Sequence, residues 1–203
     1  MKLSEAAGRL NSRSSKLPAL IFLTDQARVP DVAAVAAKLP TGSAIILRDY
    51  TAPNRQEIAR SLAQLTHQHD LVLLIGGDVE LAGAVGADGV HFREQDLTCR
   101  ADEIARKIER VTDRKKLIVT AAAHSATALQ RAADFGADAT LLSPVFTTAS
   151  HPGTTPLGLA QFAALAADAA LPVYALGGID EENVNQLLTT SAIGIAAIGA
   201  LAT

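Results

Sequence analysis

The sequence predicts an α/β fold, a single (β/α)8 TIM barrel over residues 1-203 with a truncated or absent last helix. Eight apolar runs of strand length carry that reading: Ala19-Asp25, Ser43-Asp49, Leu71-Gly77, Gly89-Phe92, Lys116-His124, Ala139-Phe146, Pro172-Gly178 and Ile193-Ala200. Between them, apolar residues recur at helical spacing, as Ile58, Leu62 and Leu65; Ile104, Ile108 and Val111; Leu159, Phe162 and Leu165; and Val184, Leu187 and Leu188. Strand and helix therefore alternate, the pattern of a parallel sheet with crossover helices. Such a sheet closes as a barrel or lies open and doubly wound, and periodicity does not separate the two. Eight units favour the barrel.

Taken in order, the first element is a candidate helix at Leu3-Asn11, within residues 1-16, placed to cover one end or flank of the barrel. Later helix starts carry side-chain oxygens able to cap exposed amides, at Asn54, Asp78, Ser125 and Asp180. The last run ends close to Thr203, which leaves space for no more than a turn where an eighth helix would stand, and Leu3-Asn11 is the candidate substitute.

Composition narrows the function. The net charge is -3 and the Lys and Arg residues are dispersed, so no basic stripe invites nucleic acid or an anionic membrane. A small ligand is expected. One cysteine, Cys99, excludes an internal disulfide and most thiolate metal sites, and fits a reducing cytoplasm. Glu5 and Arg9 interrupt the apolar N-terminus, unlike a signal peptide, and no apolar run approaches the roughly 20 residues that span a bilayer.

In a barrel, chemistry belongs at the carboxyl ends of the strands. The run from Ala139 to Gly158 passes from apolar strand to a loop of hydroxyls, histidine and glycine, which makes Thr147, Thr148, Ser150, His151, Thr154 and Thr155 a candidate binding loop or an ordinary polar connection. Leu176-Gly-Gly-Ile179 and Ile198-Gly-Ala200 end the last two strands with bare backbone. The amides of Gly177, Gly178, Ile198 and Gly199 could cradle a phosphate, and the same glycines also suit tight turns.

Arg48 ends an apolar strand, where its planar fork suits an anionic ligand, an ion pair with Asp25, Asp49 or Asp78, or both. His91 and His124 stand at strand ends. His124 is the candidate general acid and base, against the commoner structural hydrogen-bonding role of a lone histidine. Asp96, in a loop after the fourth strand with Glu94 close by, is the candidate ligand for a hard cation such as Mg2+. The third strand adds no matching carboxylate, since it ends Ile75-Gly-Gly-Asp78.

The order of motifs resembles the thiamine phosphate synthase family, including its TenI-type thiazole tautomerase branch, over most of the chain. The residues that carry the resemblance are Gly86-Ala-Asp-Gly-Val-His-Phe92 with Gln95-Asp96-Leu97, Gly136-Ala-Asp138, Ser143-Pro-Val-Phe146, Pro156-Leu-Gly158 and Ala175-Leu-Gly-Gly-Ile179. The resemblance implies a (β/α)8 barrel, often a homodimer, that joins a pyrimidine diphosphate to a thiazole phosphate as Mg2+ assists departure of pyrophosphate. On matching positions it implies Thr148 and Ser150 at the thiazole or phosphate, with Gly178 and the Ile198-Gly199 amides on the phosphate. Arg48 would face the diphosphate and Asp96 the metal.

The chain departs from the synthase pattern at several of these points. Gln-Leu-Arg-x-Lys is replaced by Ile46-Leu-Arg-Asp-Tyr50, and the Asn-Asp pair after the third strand by Gly76-Gly77. Ala122, His151 and Gly199 stand for a serine, a lysine and a serine. Thiamine phosphate formation is the leading expectation. The alternatives are His124-mediated tautomerisation of a thiazole carboxylate phosphate, with Arg48 steering the anion, and a non-catalytic binding or regulatory barrel.

Overall fold

Eight short strands pair in parallel, each with the next in sequence: β1 (Leu20–Leu23), β2 (Ala44–Leu47), β3 (Val72–Gly76), β4 (Gly89–Phe92), β5 (Ile118–Ala123), β6 (Ala139–Leu142), β7 (Val173–Leu176) and β8 (Gly194–Ala197). β8 then pairs with β1, Phe22 lying opposite Ala197, so the sheet is a closed barrel. The computed structural model describes residues 1–12, 17–111, 117–148, 153 and 155–201. Both faces of a barrel strand are covered, by the interior and by the helices, which is why these runs are apolar without alternation. Five of the eight strands are buried at every position, and β3, β5 and β7 each carry one or two half-buried residues.

The helices are α1 (Leu3–Asn11), α2 (Val32–Ala36), α3 (Arg55–Gln68), α4 (Val79–Val85), α5 (Glu94–Cys99), α6 (Ala101–Val111), α7 (Ala126–Phe135) and α8 (Gly158–Asp168). Two 3-10 segments, Val184–Thr189 and Gly199–Leu201, follow β7 and β8. α1 buries Leu3, Ala6, Ala7 and Leu10 against β8, β1 and the first 3-10 segment. It thus covers the flank beside β8, after which the described chain forms a single 3-10 turn. Each fully buried leucine of this stripe contributes roughly 1.5–3 kcal/mol of transfer free energy.

Two copies of one device join helix to strand. Gly86 and Gly136 end α4 and α7 in the left-handed conformation, at φ 70° and 85°. Each is followed by a buried alanine and an aspartate. Asp88 brackets Leu73, its N–H donating to the Leu73 carbonyl and its Oδ2 accepting the Leu73 N–H at 2.9 Å. Asp138 does the same to Val119, with Oδ2 at 2.8 Å from the Val119 nitrogen. These Gly-Ala-Asp triplets serve the barrel, and their carboxylates point to strand starts, away from the mouth.

Several expected details differ. Asp78 and Ser125 cap α4 and α7 through Leu81 and Ala128, but Asn54 makes no side-chain cap, because its backbone (φ -102°, ψ 29°) already turns and its carbonyl takes the N–H groups of Glu57 and Ile58. Asp180 accepts from Glu182 and Asn183 in a turn. Asn183 stands at the cap position instead, yet spends its amide on Gly178 O and its Oδ1 on Asp180 N, so the Val184, Leu187 and Leu188 stripe forms a 3-10 segment rather than an α-helix. Asp96 is not in a loop: it occupies the first turn of α5. β6 stops at Leu142, and Ser143 to Phe146 form a connection that bonds to the end of β7.

Candidate active site

The carboxyl ends of β1, β2, β4 and β5 surround a cleft of about 1050 Å3 in the barrel mouth. Asp25, Arg48, Tyr50, His91, Arg93 and His124 are among its lining residues. Apolar strands deliver these polar groups because each strand changes character within two or three residues of its end.

Thr24 and Asp49 fix the exit of β1 against that of β2. The Thr24 hydroxyl donates to Asp49 Oδ2 at 2.5 Å and accepts the Arg48 N–H at 2.9 Å, while Asp49 Oδ1 accepts the Gln26 N–H at 3.1 Å. Asp49 is therefore occupied. Arg48 extends to Asp25, with Nη2 3.5 Å from Oδ2, and Arg28 approaches that same oxygen at 2.8 Å. Burial alone would raise the Asp25 pKa, but the hydrogen bonds and charge of Arg28, with the charge of Arg48, hold it below the usual carboxylate value. Two guanidinium groups therefore share one carboxylate.

His91 lies deeper. It is 3% exposed, and its Nδ1 is 3.0 Å from Thr120 Oγ1. Burial, reinforced by the charge of Arg48 and opposed by Asp96, pushes its pKa down to about 4. It is a neutral imidazole at physiological pH. His124 is at the rim, half exposed, with Nδ1 2.7 Å from Glu94 Oε2 and its backbone N–H donating to the same oxygen at 3.1 Å. A carboxylate can only accept, so Nδ1 carries the proton and Nε2 of the neutral ring is an acceptor. Arg131 lies 3.8 Å from the other Glu94 oxygen.

Tyr50 organises the far wall. Its ring lies under the Arg93 guanidinium, 4.7 Å from the centroid, and Arg55 approaches at 5.7 Å. Burial raises the pKa of its hydroxyl against the opposing charge of Arg93. Glycines make room for the ring: a Cβ at Gly76 would meet Tyr50 Cε1 at 2.9 Å, and one at Gly77 would meet it at 3.4 Å. Arg55 donates to Gly76 O at 2.5 Å and pairs with Asp78 at 3.6 Å.

Asp96 faces this wall with both oxygens engaged by Arg93. Oδ2 accepts the Arg93 N–H and Nε–H at 3.0 Å each, and Oδ1 accepts from Nη2 at 2.8 Å. Burial would raise the Asp96 pKa, but these bonds and the charges of Arg93 and Arg100 lower it. Magnesium demands near-octahedral oxygen ligation, commonly with one or two carboxylates. One lone pair is left, on Oδ1, and a cation bound there would meet the charge of the Arg93 guanidinium on the same oxygen unless Arg93 moved away. A partner removed from a buried pair costs about 3–5 kcal/mol, less here because Arg93 is itself 43% exposed on its side chain. The described residues contain no group of three His, Cys, Asp or Glu able to hold a metal ion. The set does not fit the ion that the resemblance implies.

The glycine-rich end of the mouth is built by β6, β7 and β8. Val145 N–H donates to Leu176 O at 2.9 Å and Phe146 N–H to Gly177 O at 3.0 Å, which docks the connection after β6 on the turn after β7. Gly177 and Gly178 have φ of 99° and 67°. The register Leu176↔Ala196 carries Gly178 across from Ile198. Neither Gly178 nor Gly199 donates its N–H to an acceptor among the described residues. Thr148 is half-buried, at the start of the loop, whose base is closed by Leu157 and Gly158 donating to Pro144 and Val145. Ser150, His151 and Thr154 lie outside the described residues.

The structure thus brings Arg48, His91, Asp96 and His124 to one cleft region, and Thr148, Gly178, Ile198 and Gly199 to strand ends further round the barrel. Arg28, Arg55, Arg93 and Thr24 were not singled out by sequence. The Arg93-x-x-Asp96 spacing at a helix start is the signal that marks one of them, since residues three apart there share a face.

A closed parallel barrel with a charged cleft and bare glycine amides at its strand ends has the architecture of a barrel enzyme. The comparisons say which: the family described as thiamine monophosphate synthase matches residues 20–201, and the chain belongs to that family. It is 32% identical to the thiamine-phosphate synthase of Pyrococcus furiosus over 185 residues, 90% of this chain and 86% of that one. It is 33% identical to that of Alcanivorax borkumensis over 195 residues, 92% and 86% of the two chains. A solved thiamine phosphate pyrophosphorylase from Pyrococcus furiosus superposes with a TM-score of 0.74 at 32% identity, covering 91% of this chain and 87% of the other. Among the described residues no helix is long and apolar enough to cross a membrane.

Proposed function

We propose that this protein joins a thiazole phosphate to a pyrimidine diphosphate, forming thiamine phosphate and releasing pyrophosphate. The observation that carries the reading is the match of nearly the whole chain to relatives named for that reaction. The C–O bond to the diphosphate breaks, pyrophosphate leaves with the electron pair, and the thiazole ring nitrogen bonds to the carbon it leaves. Barriers of this kind fall when fixed positive groups face the departing charge.

The roles follow the two ends of the mouth. Arg48 meets the diphosphate; its ion pair with Asp25 is long, at 3.5 Å, and Asp25 is shared with Arg28. Thr148, Ser150 and His151 receive the thiazole phosphate from the loop after β6. The backbone of Gly177, Gly178, Ile198 and Gly199 receives the phosphate from the ends of β7 and β8. His124 offers Nε2 to the ligand at the rim. The reading places the chain as a homodimer in the cytoplasm, in keeping with its one exposed, free cysteine.

Purified protein incubated with both substrates should release pyrophosphate in step with thiamine phosphate, and Arg48→Ala should lower kcat/KM by about a hundredfold, the loss typical of one group stabilising a departing charge. Isomerisation of a thiazole carboxylate phosphate without pyrophosphate release, or binding without turnover, would displace this reading. Sedimentation would report the dimer.

A further inference from the structure

We propose that Arg93 is a diphosphate-binding residue and that, with Arg48, it holds the substrate's diphosphate directly, so that binding needs no divalent cation at Asp96. This rests on the reaction proposed above and assigns one end of its substrate.

Arg93 is held ready for an anion. Its Nε and Nη2 hydrogen bonds to Asp96 use two of the five N–H groups of a guanidinium, leaving three donors. Its side chain stays 43% exposed and lines the cleft. The Tyr50 ring at 4.7 Å supports its face, and Tyr50 can lie there because Gly76 and Gly77 have no side chains. Few rotamers remain to be lost on binding, which favours affinity. A planar fork also suits two phosphate oxygens better than a point charge does.

The charges around it complete the case. Arg93 and Arg55 face the Tyr50 ring, at 4.7 and 5.7 Å from its centroid, and Arg48, Tyr50 and Arg93 line one cleft. Asp96 and Asp78 each answer one arginine, but Asp25 answers two. Arg48 thus holds only a shared carboxylate, at 3.5 Å, and the unspent N–H donors of Arg93 lie in the same cleft. For a divalent ion the picture is reversed, because the carboxylates that line or underlie the cleft are already engaged: Asp25 by Arg28 and Arg48, Asp49 by Thr24 and Gln26, Glu94 by His124 and Arg131, and Asp96 by Arg93.

The test is calorimetric titration of the full chain with inorganic pyrophosphate in EDTA and in excess Mg2+. Saturable binding in EDTA is expected, weakened about tenfold or more in Arg93→Ala and partly rescued in Arg93→Lys, which keeps the charge and loses the fork. Mn2+ titrated alone, followed by the resonance of the free ion, should show no ion retained. Binding of pyrophosphate by the wild type only with Mg2+ would overturn the inference and leave the proposed reaction standing. Wild-type affinity in both Arg93 variants would also overturn it. Binding in neither buffer would overturn the inference and the proposed reaction together.

Discussion

Tyr50 and Gly76 occupy one another's space: a Cβ on Gly76 would come to 2.9 Å from Tyr50 Cε1, 3.1 Å from its hydroxyl and 2.7 Å from the Leu47 carbonyl. The two departures from the synthase pattern at these positions are therefore one structural event, an aromatic ring laid where a side chain has been removed. Gly76→Ala should destabilise by about 1–3 kcal/mol through overpacking, a fall in Tm of some 2–4 °C per kcal/mol for a chain of this size. In the double variant with Tyr50→Ala the losses should fall short of additive, because removing the ring relieves one of the two contacts and leaves that with Leu47. Thermal unfolding of the four proteins checks this.

His91 gives the stability a pH dependence. Its folded pKa is about 4, below the ordinary value of 6.5, so between those limits the unfolded chain binds a proton that the folded chain refuses. Stability from this source is complete above pH 6.5 and is lost as pH falls towards 4. Relative to His91→Gln, which does not titrate, the wild type should lose about 2–3 kcal/mol between pH 7 and 4.5, at 1.36 kcal/mol per pKa unit. Urea unfolding of both proteins at the two pH values isolates the term, since the carboxylates are common to both.

Gly178 couples the turn after β7 to the loop after β6. At φ 67° a side chain is strained whatever its surroundings, and its Cβ would lie 2.7 Å from the Phe146 carbonyl carbon and strike the Thr147 carbonyl as well. Both obstacles are backbone of the segment that leads to Thr148. Gly178→Ala should cost more than about 2 kcal/mol and, by pushing that segment, raise the KM for thiazole phosphate at least about tenfold. Gly42→Ala, at φ 79° with nothing within 4 Å and outside the β6 loop, is the control for strain without collision.

The barrel was legible because its evidence is local and repeated: apolar runs that bury both faces, stripes at helical spacing, and oxygens such as those of Asp78 and Ser125 at helix starts. What sequence did not show depends on partners chosen in three dimensions. Asp96 reads as a free acid in a loop until Arg93, three residues earlier, is seen to turn back onto it. Asp180 reads as a helix cap until its carboxylate is found in a turn on Glu182 and Asn183. The Gly76-Gly77 pair reads as a lost carboxylate, whereas its contents are supplied by Tyr50, more than twenty residues away in the chain. Compensation between distant positions leaves no spacing to find.

Glu94 fixes the tautomer of His124, and that separates orientation from chemistry. With the ring neutral, the wild type should hold its proton on Nδ1, facing Glu94 Oε2 at 2.7 Å. Glu94→Gln replaces an obligate acceptor by an amide that can also donate, so the fraction protonated at Nε2 should rise, visible in the ring 15N shifts. The pair is open to solvent, with side chains 51% and 30% exposed, so stability should change by less than about 1 kcal/mol. The proposed coupling moves no proton at His124. Glu94→Gln and His124→Ala should therefore raise KM several-fold while kcat stays within about threefold, the signature of lost positioning; loss of the 10²–10⁴ that acid–base catalysis typically contributes would put the imidazole in the chemical step instead.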